Sequence, residues 1–373
     1  MAEFENLLFE TSPDGTRSAI VEQDDRVAYC YLHRESPESA AAAQTTPSNL
    51  QACWLRNLVK GPVSFSMGEM ERGLPPILPR LHCDHPEGLP PLRTDQLQVV
   101  WLEACNGAAF LIDGEIAAII PPWSGIEGFH GYARHCKSAN QVCWPLPQDP
   151  QLVDQFKEAQ AYWQSWQNGD PWGQLQSTLM TTYEGVLGTH QAYFAMDGNR
   201  WPPKAAVQFH KSHQTCWLTA GVSIRQQPWP HPELPLPEGL ERIEIGLRLD
   251  GDLPGTYYQS VLRLISSCSN YPWFAQQWIG PAHSYPFAES QEFPQDAGES
   301  VSRFPRLVFT CDPSFGYEFP DVNFGGHTIH WLWMVPITQS EMRYMNANGV
   351  QPLLERLREN GVTGWQPQRA SVV

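Results

Sequence analysis

The sequence predicts an α+β protein with two lobes of mixed or antiparallel sheet and flanking helices. Short strand-like runs separated by turn pairs outnumber helical patterns along the chain. Thirty-four prolines and fifteen tryptophans among 373 residues favour strands and ordered loops over a helical bundle. With 42% hydrophobic residues, a chain of this length can bury a large core and usually forms about two domains.

The first 33 residues predict a strand meander. The runs NLLFET, RSAIVEQ and RVAYCYLH are separated by turn signals, and Asp14-Gly15 is a favourable turn pair. The following run LQACWLRNLV, at residues 50–59, is interpreted as a short helix.

A second meander is predicted over residues 97–123. Three apolar runs are separated there by Asn106-Gly107 and Asp113-Gly114, and each pair contains the glycine that a positive φ favours.

The clearest helix is predicted from Asp149 to Gly169. Asp149 can cap the helix, and Pro150 suits its first position. A second helical pattern covers residues 172–188 and ends at a glycine. The first helix is supported by apolar residues three or four positions apart, namely Leu152, Phe156, Ala159, Trp163 and Trp166.

Strands dominate the prediction for the second half. RIEIGLRL, at residues 242–249, alternates, which predicts that Arg242, Glu244 and Arg248 face water. Residues 257–269 are interpreted as a helix.

The last strand and helices are predicted from residue 328 onward. Both faces of TIHWLWMV are apolar, which predicts a strand covered on both sides. Thr338 and Glu341 then have the spacing of a capping box, and Gly349 and Gly361 end two short helices.

The charge of the chain restricts its partners. The net charge is −16, and the 24 lysines and arginines form no basic run, so nucleic acid and anionic membrane surfaces are not expected as partners. The acidity is explained by solubility alone, and, as the alternative, it favours a basic protein partner. Nine irregularly spaced cysteines and an acidic first segment without signal-peptide character predict a reducing, cytoplasmic setting. The oligomeric state is left open.

Metal and nucleotide motifs are missing. His82-Cys83-Asp84-His85 places metal-capable side chains side by side, unlike the separated ligand pairs of zinc sites. The sequence contains no Gly-x-Ser-x-Gly, Gly-x-Gly-x-x-Gly or P-loop pattern. We therefore expect neither a cofactor nor a metal.

The second half resembles the suppressor-of-fused (Sufu) domain in its bacterial form. The ordered segments MDGNRWPPKAAVQF, LTAGVSIRQQP, RIEIGLRL, WIGPAHSY and HWLWMVPITQSEM carry the resemblance, which extends over about residues 149–365. It predicts an N-terminal α+β lobe at 1–148, extra to the domain, and a Sufu-like domain at 149–373.

The resemblance implies binding rather than catalysis. The animal family member holds a transcription factor by adding the partner's strand to its sheets. Bacterial members are thought to include immunity proteins that neutralise a cognate toxin. An immunity protein is therefore the leading hypothesis, and an adaptor or chaperone that captures an extended segment by strand addition is the alternative.

The predicted binding groove is lined by the glycine-rich aromatic loop at residues 123–135, the region of Trp201 and the segment at residues 278–285. A second alternative is an enzyme with a Cys/His site in the loop at residues 128–136, where His135 precedes Cys136. The candidate binding residues are Trp123, Phe129, His130, Tyr132, Arg134, Trp201, Trp278 and His283.

Overall fold

The computed structural model divides the chain into two compact units. The N-terminal unit comprises Met1–Asn168 with Pro230–Glu233, and the C-terminal unit comprises Gly169–Trp229 with Leu234–Val373. The sequence predicts a domain boundary after residue 148, whereas the first unit extends to Asn168. The assignment of residues 1–148 and 149–373 to two domains stays a prediction. The structure describes residues 4–35, 50–146, 150–231, 233, 236–250, 258–287 and 303–373.

The first sheet of the N-terminal unit is an antiparallel meander, in the order β1-β2-β3-β4. The predicted helix at 50–59 is wrong, because this segment forms β4, which pairs with β3 from Val27 to His33. The consecutive residues Cys53, Trp54 and Leu55 are all buried, so both faces of the strand are covered. The resulting apolar run cannot be distinguished from that of a buried helix by its periodicity. The strands are β1 (Glu5–Thr11), β2 (Arg17–Gln23), β3 (Val27–Arg34) and β4 (Leu50–Asn57).

The second sheet has the order β5-β6-β7-β8-β9 and contains the predicted second meander. Asp113 and Gly114 both have positive φ, as the turn requires. In the preceding turn the positive φ lies at Cys105 rather than at Asn106-Gly107. The strands are β5 (Leu97–Trp101), β6 (Ala108–Ile112), β7 (Glu115–Ile120), β8 (Tyr132–Ala133) and β9 (Trp144–Pro145).

The core of the N-terminal unit lies between these two sheets. Val21, Cys30 and Trp54 from the first sheet join Phe110 and Ala118 from the second in one buried cluster. Besides the short helix α1 (Met67–Glu71), the unit contains α2 (Pro150–Asn168), which confirms the predicted helix. Its predicted cap, Asp149, lies outside the described residues. Helix α2 packs beside β5, and the Trp163 indole donates a 2.8 Å hydrogen bond to the carbonyl of Trp101.

The C-terminal unit contains a mixed sheet of eight described strands. The order is β10-β11-β12-β13-β17-β15-β14, and β16 also pairs with β17. Among the described strands of this sheet, β13 and β17 form the parallel pair, and the other pairings are antiparallel. The strands are β10 (Ala192–Ala195), β11 (Ala205–Lys211), β12 (Gln214–Ala220), β13 (Arg242–Asp250), β14 (Ser284–Pro286), β15 (Arg306–Thr310), β16 (Asn323–Phe324) and β17 (His327–Ile337). This sheet and its helices confirm the α+β class.

The centre of that sheet is covered on both faces. For β17 this confirms the prediction. For β13 the prediction of a water-facing side is wrong, because Arg242 and Glu244 are fully buried and Arg248 is half-buried. Glu244 lies opposite Trp331 in the parallel pairing, so its face is covered like that of its neighbour.

Helices α3 and α4 pack on opposite faces of the sheet. Tyr183 of α3 contacts Trp331, which shares a face with Glu244, whereas Tyr258 of α4 contacts Trp217, which pairs with Leu247. The predicted second and third helices are thereby confirmed, although α4 continues beyond residue 269 and through Pro272. The helices are α3 (Pro171–Leu187), α4 (Tyr258–Ala275), α5 (Gln339–Asn348) and α6 (Val350–Glu359).

The predicted capping box at α5 is also confirmed. The Glu341 amide donates to the Thr338 hydroxyl at 3.3 Å, and the Thr338 amide donates to Glu341 Oε2 at 2.8 Å. The Glu341 carboxylate also forms a buried ion pair with Arg369, so one side chain both caps the helix and holds the C-terminal segment.

Candidate functional site

The predicted groove loop at residues 123–135 and the overlapping Cys/His loop at residues 128–136 lie in the N-terminal unit, close to β4. Gly125, Glu127 and Gly128 have positive φ, which turns the chain tightly between β7 and β8. A side chain at Gly131 would lie 2.7 Å from the carbonyl oxygen of Ile119 and 3.0 Å from Cys53 Sγ, so only glycine fits there.

Five candidate residues belong to this loop, and one of them, Tyr132, contacts two others, Trp123 and Phe129. The Trp123 indole hydrogen bonds to the Tyr132 hydroxyl, while burial raises the pKa of that hydroxyl. The Phe129 ring lies 4.9 Å from that of Tyr132. Ser124 donates to the carbonyl of His130, and Arg134 Nη1 forms an ion pair with Glu115 at 2.5 Å. Trp123 and Phe129 are buried, so they support the loop rather than lining an open surface.

Trp144 is the aromatic residue of this region that the sequence interpretation missed. Its ring lies 5.1 Å from that of Phe129, and the residue is 43% exposed. It pairs with Tyr132 through the parallel β8–β9 bridge, a contact between segments twelve residues apart that no local pattern signals. We call Phe129, Tyr132 and Trp144 the aromatic patch.

The thiol and imidazole of the loop have separate neighbours. The His135 ring contacts His85 at 4.5 Å, and burial lowers the pKa of His135. Cys136 Sγ contacts Asn140, Ser138 and Cys143. No described contact joins the Cys136 thiol to the His135 ring. Within the described residues, no group of three or more His, Cys, Asp or Glu side chains could hold a metal ion.

In the C-terminal unit, the candidate residue Trp201 lies beside two buried cations. The Arg225 guanidinium lies 5.4 Å from the Trp201 ring centroid and 4.1 Å from that of Trp273. Lys204 donates to the side-chain oxygen of Asn270. Burial, reinforced by the Arg225 charge, lowers the pKa of Lys204 to about 8. The sequence interpretation missed these cations because their contacts come from Trp273 and Asn270 on α4, a segment far along the chain.

The candidate residues Trp278 and His283 stack on each other, with ring centroids 4.5 Å apart. Burial lowers the pKa of His283. Ile279 lies between this pair's Trp278 and strand β14. The Gln227 side chain donates to the Ile279 carbonyl and accepts from the Ile279 amide, at 2.9 Å each, and so fixes this segment. Trp278 and His283 therefore form a supported aromatic pair.

Among the described strands, β10 lies at one end of the eight-stranded sheet and β14 at the other, and β10 is the edge with exposed aromatic side chains. Its residues Tyr193 and Phe194 are 36% and 38% exposed. Tyr193 accepts a hydrogen bond from Gln176 of α3, and the Phe194 ring contacts Trp217 on the other face. Among the described strands, only β11 pairs with β10.

The register of β10 shows which backbone groups point outward. The Met196 amide donates to the carbonyl of Lys204, so Met196 and, two residues back, Phe194 face β11. The amides and carbonyls of Tyr193 and Ala195 consequently point away from β11. This edge offers both main-chain hydrogen bonds and aromatic contacts.

Comparisons with known proteins identify the C-terminal region. Residues 200–370 match the family described as Suppressor of fused protein (SUFU), which confirms the resemblance over that range and leaves the N-terminal half as an extra region. A SUFU domain indicates a role in protein interaction. No curated protein matches the chain.

Three solved structures are similar to part of the chain. A protein of Neisseria gonorrhoeae FA 1090, described as a SUFU homologue, is 17% identical over 54% of this chain and 97% of its own, with a TM-score of 0.37. The Sufu-Fu complex is 12% identical over 54% of this chain and 92% of its own, with a TM-score of 0.38. Drosophila Suppressor of Fused is 12% identical over 45% of this chain and 42% of its own, with a TM-score of 0.33.

No helix that the structure describes combines the length and the apolar character that a bilayer span requires.

Proposed function

We propose that this chain, whose residues 200–370 carry a SUFU domain, is a non-catalytic protein that acts by binding a protein partner. The observation that carries the proposal is the open edge at β10. Unpaired sheet edges present main-chain donors and acceptors, which natural proteins usually cover or use for binding.

The proposed mode of binding is strand addition. An extended partner segment would pair with the outward backbone groups of Tyr193 and Ala195. Tyr193 and Phe194 point to opposite faces of the sheet, so each would contact alternate side chains of the added strand. Main-chain bonds supply affinity in this mode, and the aromatic contacts supply selectivity.

The charge of the chain supports a basic partner. At −16, the protein favours encounter with a positively charged surface. An immunity protein that masks a basic toxin is the form of the proposal that we rank first. An adaptor that captures extended segments is the second form, and the β10 edge specifically favours it.

The first experiment tests the edge. Ala195 is exposed, and proline is tolerated in an edge strand where the amide points outward. The change Ala195→Pro should preserve the fold and weaken partner binding roughly tenfold or more, because it removes one main-chain donor and blocks the approach. The matched control Ala195→Ser keeps the amide and should bind normally.

The assay uses the full chain with the product of the neighbouring gene, in a pull-down and in cells. Stoichiometric recovery with rescue from toxicity would support the immunity role, and that complex should weaken with salt. Binding of short extended peptides would support the adaptor role. Unchanged binding by Ala195→Pro, with the variant folded, would contradict strand addition at β10.

The enzyme alternative requires its own test. Turnover that depends on the thiol of Cys136 or the imidazole of His135 would contradict a purely binding role. The cytoplasmic location likewise stays a prediction.

A further inference from the structure

We propose that Cys136 and Cys143 form a reversible disulfide when the protein meets a peroxide, which makes this pair an oxidation site. The proposal is independent of the binding role. It concerns the eight-residue segment from Cys136 to Cys143, which connects β8 to β9.

Both sulfur atoms gather around one amide group. Asn140 Nδ2 lies 3.3 Å from Cys136 Sγ and 3.7 Å from Cys143 Sγ. Cys136 Sγ also lies 3.7 Å from the carbonyl oxygen of Cys143. Asn140 Oδ1 accepts from the amides of Val142 and Cys143 at 3.0 and 3.3 Å, which fixes the turn. The two thiols are thus held side by side by their own loop.

The two thiols differ in acidity. The hydrogen bond from the Cys143 thiol lowers the pKa of Cys136, and the Asn140 amide adds to this effect. Burial raises the pKa of Cys143. Since the thiolate is the reactive form, Cys136 is the residue that attacks an oxidant, and Cys143 is the residue that resolves the product.

The reactive thiol lies just under the surface. Cys136 is 4% exposed, whereas Cys143 is completely buried. Lys137, Ser138 and Ala139, which follow Cys136, are all exposed. A small movement of this exposed turn would admit a small oxidant to Cys136.

The reaction with hydrogen peroxide balances in two steps. The Cys136 thiolate attacks one peroxide oxygen, the O–O bond breaks, and the leaving hydroxide takes a proton to form water. Cys143 then attacks the sulfur of the resulting Cys136 sulfenic acid, the S–O bond breaks, and a second water leaves. The two thiols lose two electrons in total, and a cellular thiol can reverse the reaction by exchange.

The disulfide would act on the aromatic patch. Trp144 directly follows Cys143, and Tyr132 lies four residues before Cys136. A covalent link across the connection would constrain both sides of the β8–β9 bridge.

Peptide mapping of the intact protein tests the proposal without a substitution. The reduced full chain is exposed to hydrogen peroxide, the remaining thiols are alkylated, and trypsin is added. Cleavage after Arg134, Lys137 and Lys157 separates the two cysteines. The expected product joins peptide 135–137 to peptide 138–157, with the loss of two hydrogen atoms.

Cys311 provides an internal control. It is half-buried, more exposed than Cys136, but burial raises its pKa. The link should form roughly tenfold or more faster than Cys311 is oxidised, because reactivity follows the thiolate fraction. In Cys143→Ser, Cys136 should proceed to the sulfinic acid instead of a disulfide.

Three results would overturn the proposal. The first is a link between Cys136 and Cys83, which faces it in a neighbouring bridge. The second is a link between Cys30 and Cys53, which are paired across β3 and β4. The third is oxidation of Cys311 before any link forms.

Discussion

The two units bury polar atoms in different ways. Both units bury charged side chains, among them Arg242, Glu244 and Glu341 in the C-terminal unit and Arg17 and Asp24 in the N-terminal unit. The N-terminal unit also buries thiols next to one another along β3, β4 and the β8–β9 connection. A buried carboxylate needs several donors, but a thiol behaves almost as a small apolar group. The difference shows that charge in a strand does not by itself indicate exposure.

Glu244 shows what burial of a charge requires. Its Oε1 accepts from the amides of Gly221 and Ser223 and from the Ser223 hydroxyl, at 2.9, 3.0 and 2.6 Å. Its Oε2 accepts from Thr219 at 2.5 Å. Burial raises the pKa of Glu244 in spite of these bonds. By contrast, the Cys53 thiol hydrogen bonds to Cys30 and lies 3.5 and 3.7 Å from the carbonyl oxygens of Trp54 and Tyr132.

The largest expected effect is at the buried ion pair. Arg369 Nη1 and Nη2 lie 2.5 and 2.7 Å from the two oxygens of Glu341. Arg369→Met should lower the free energy of unfolding by about 3–5 kcal/mol, because it leaves a buried charge uncompensated. Urea unfolding measures the loss, and Arg343→Met at an exposed position is the control. A loss below about 1 kcal/mol would show that Glu341 is solvated, since exposed pairs contribute that little.

The same pair predicts an effect of pH. Burial alone would raise the pKa of Glu341, but the hydrogen bonds from Arg369 and Thr338 lower it below 4.5. A lowered folded-state pKa gives stability that is present above 4.5 and is lost as the pH falls through the folded value. Glu244, whose pKa is raised, acts in the opposite sense, so the test is a difference. The urea midpoint of the wild type minus that of Glu341→Gln should shrink below pH 4.5.

Replacement of Glu244 should have a smaller effect than loss of Arg369. Glu244→Gln keeps one accepting oxygen but places an amide nitrogen among donors, so a loss of about 1–3 kcal/mol is expected. The control Glu355→Gln is exposed and should be neutral. Equal urea midpoints for both variants would mean that the Glu244 donors have other acceptors.

The smallest effect is expected in the N-terminal unit. Cys53→Ala removes one buried sulfur atom and should cost about 1 kcal/mol, like the loss of one methylene. Cys311→Ala provides the control. If Cys53→Ala cost as much as Glu244→Gln, the contrast between the two units would fail.

Local patterns predicted much of the fold. The first meander, helix α2 and the capping box at α5 depend on neighbours in sequence, and all three are confirmed. The prediction for residues 50–59 failed because a short, partly apolar segment suits a buried strand as well as a helix. Only its pairing with β3 decides between them.

The candidate site was harder to predict. The Trp123, Phe129 and Tyr132 contacts follow from one loop, so composition pointed to them. Trp144, Lys204 and Arg225 were missed because their contacts come from segments far apart in the chain. Residue type alone does not report such distances.

By itself, the sequence determined the α+β class, most helix limits and the resemblance of the second half to a SUFU domain. These properties reside in short-range periodicity, capping and ordered segments. The tertiary structure decided the burial of Arg242 and Glu244, the open edge at β10 and the meeting of Cys136 with Cys143. Each depends on which strand or loop lies opposite, and long-range pairing is set by the packing of the whole unit.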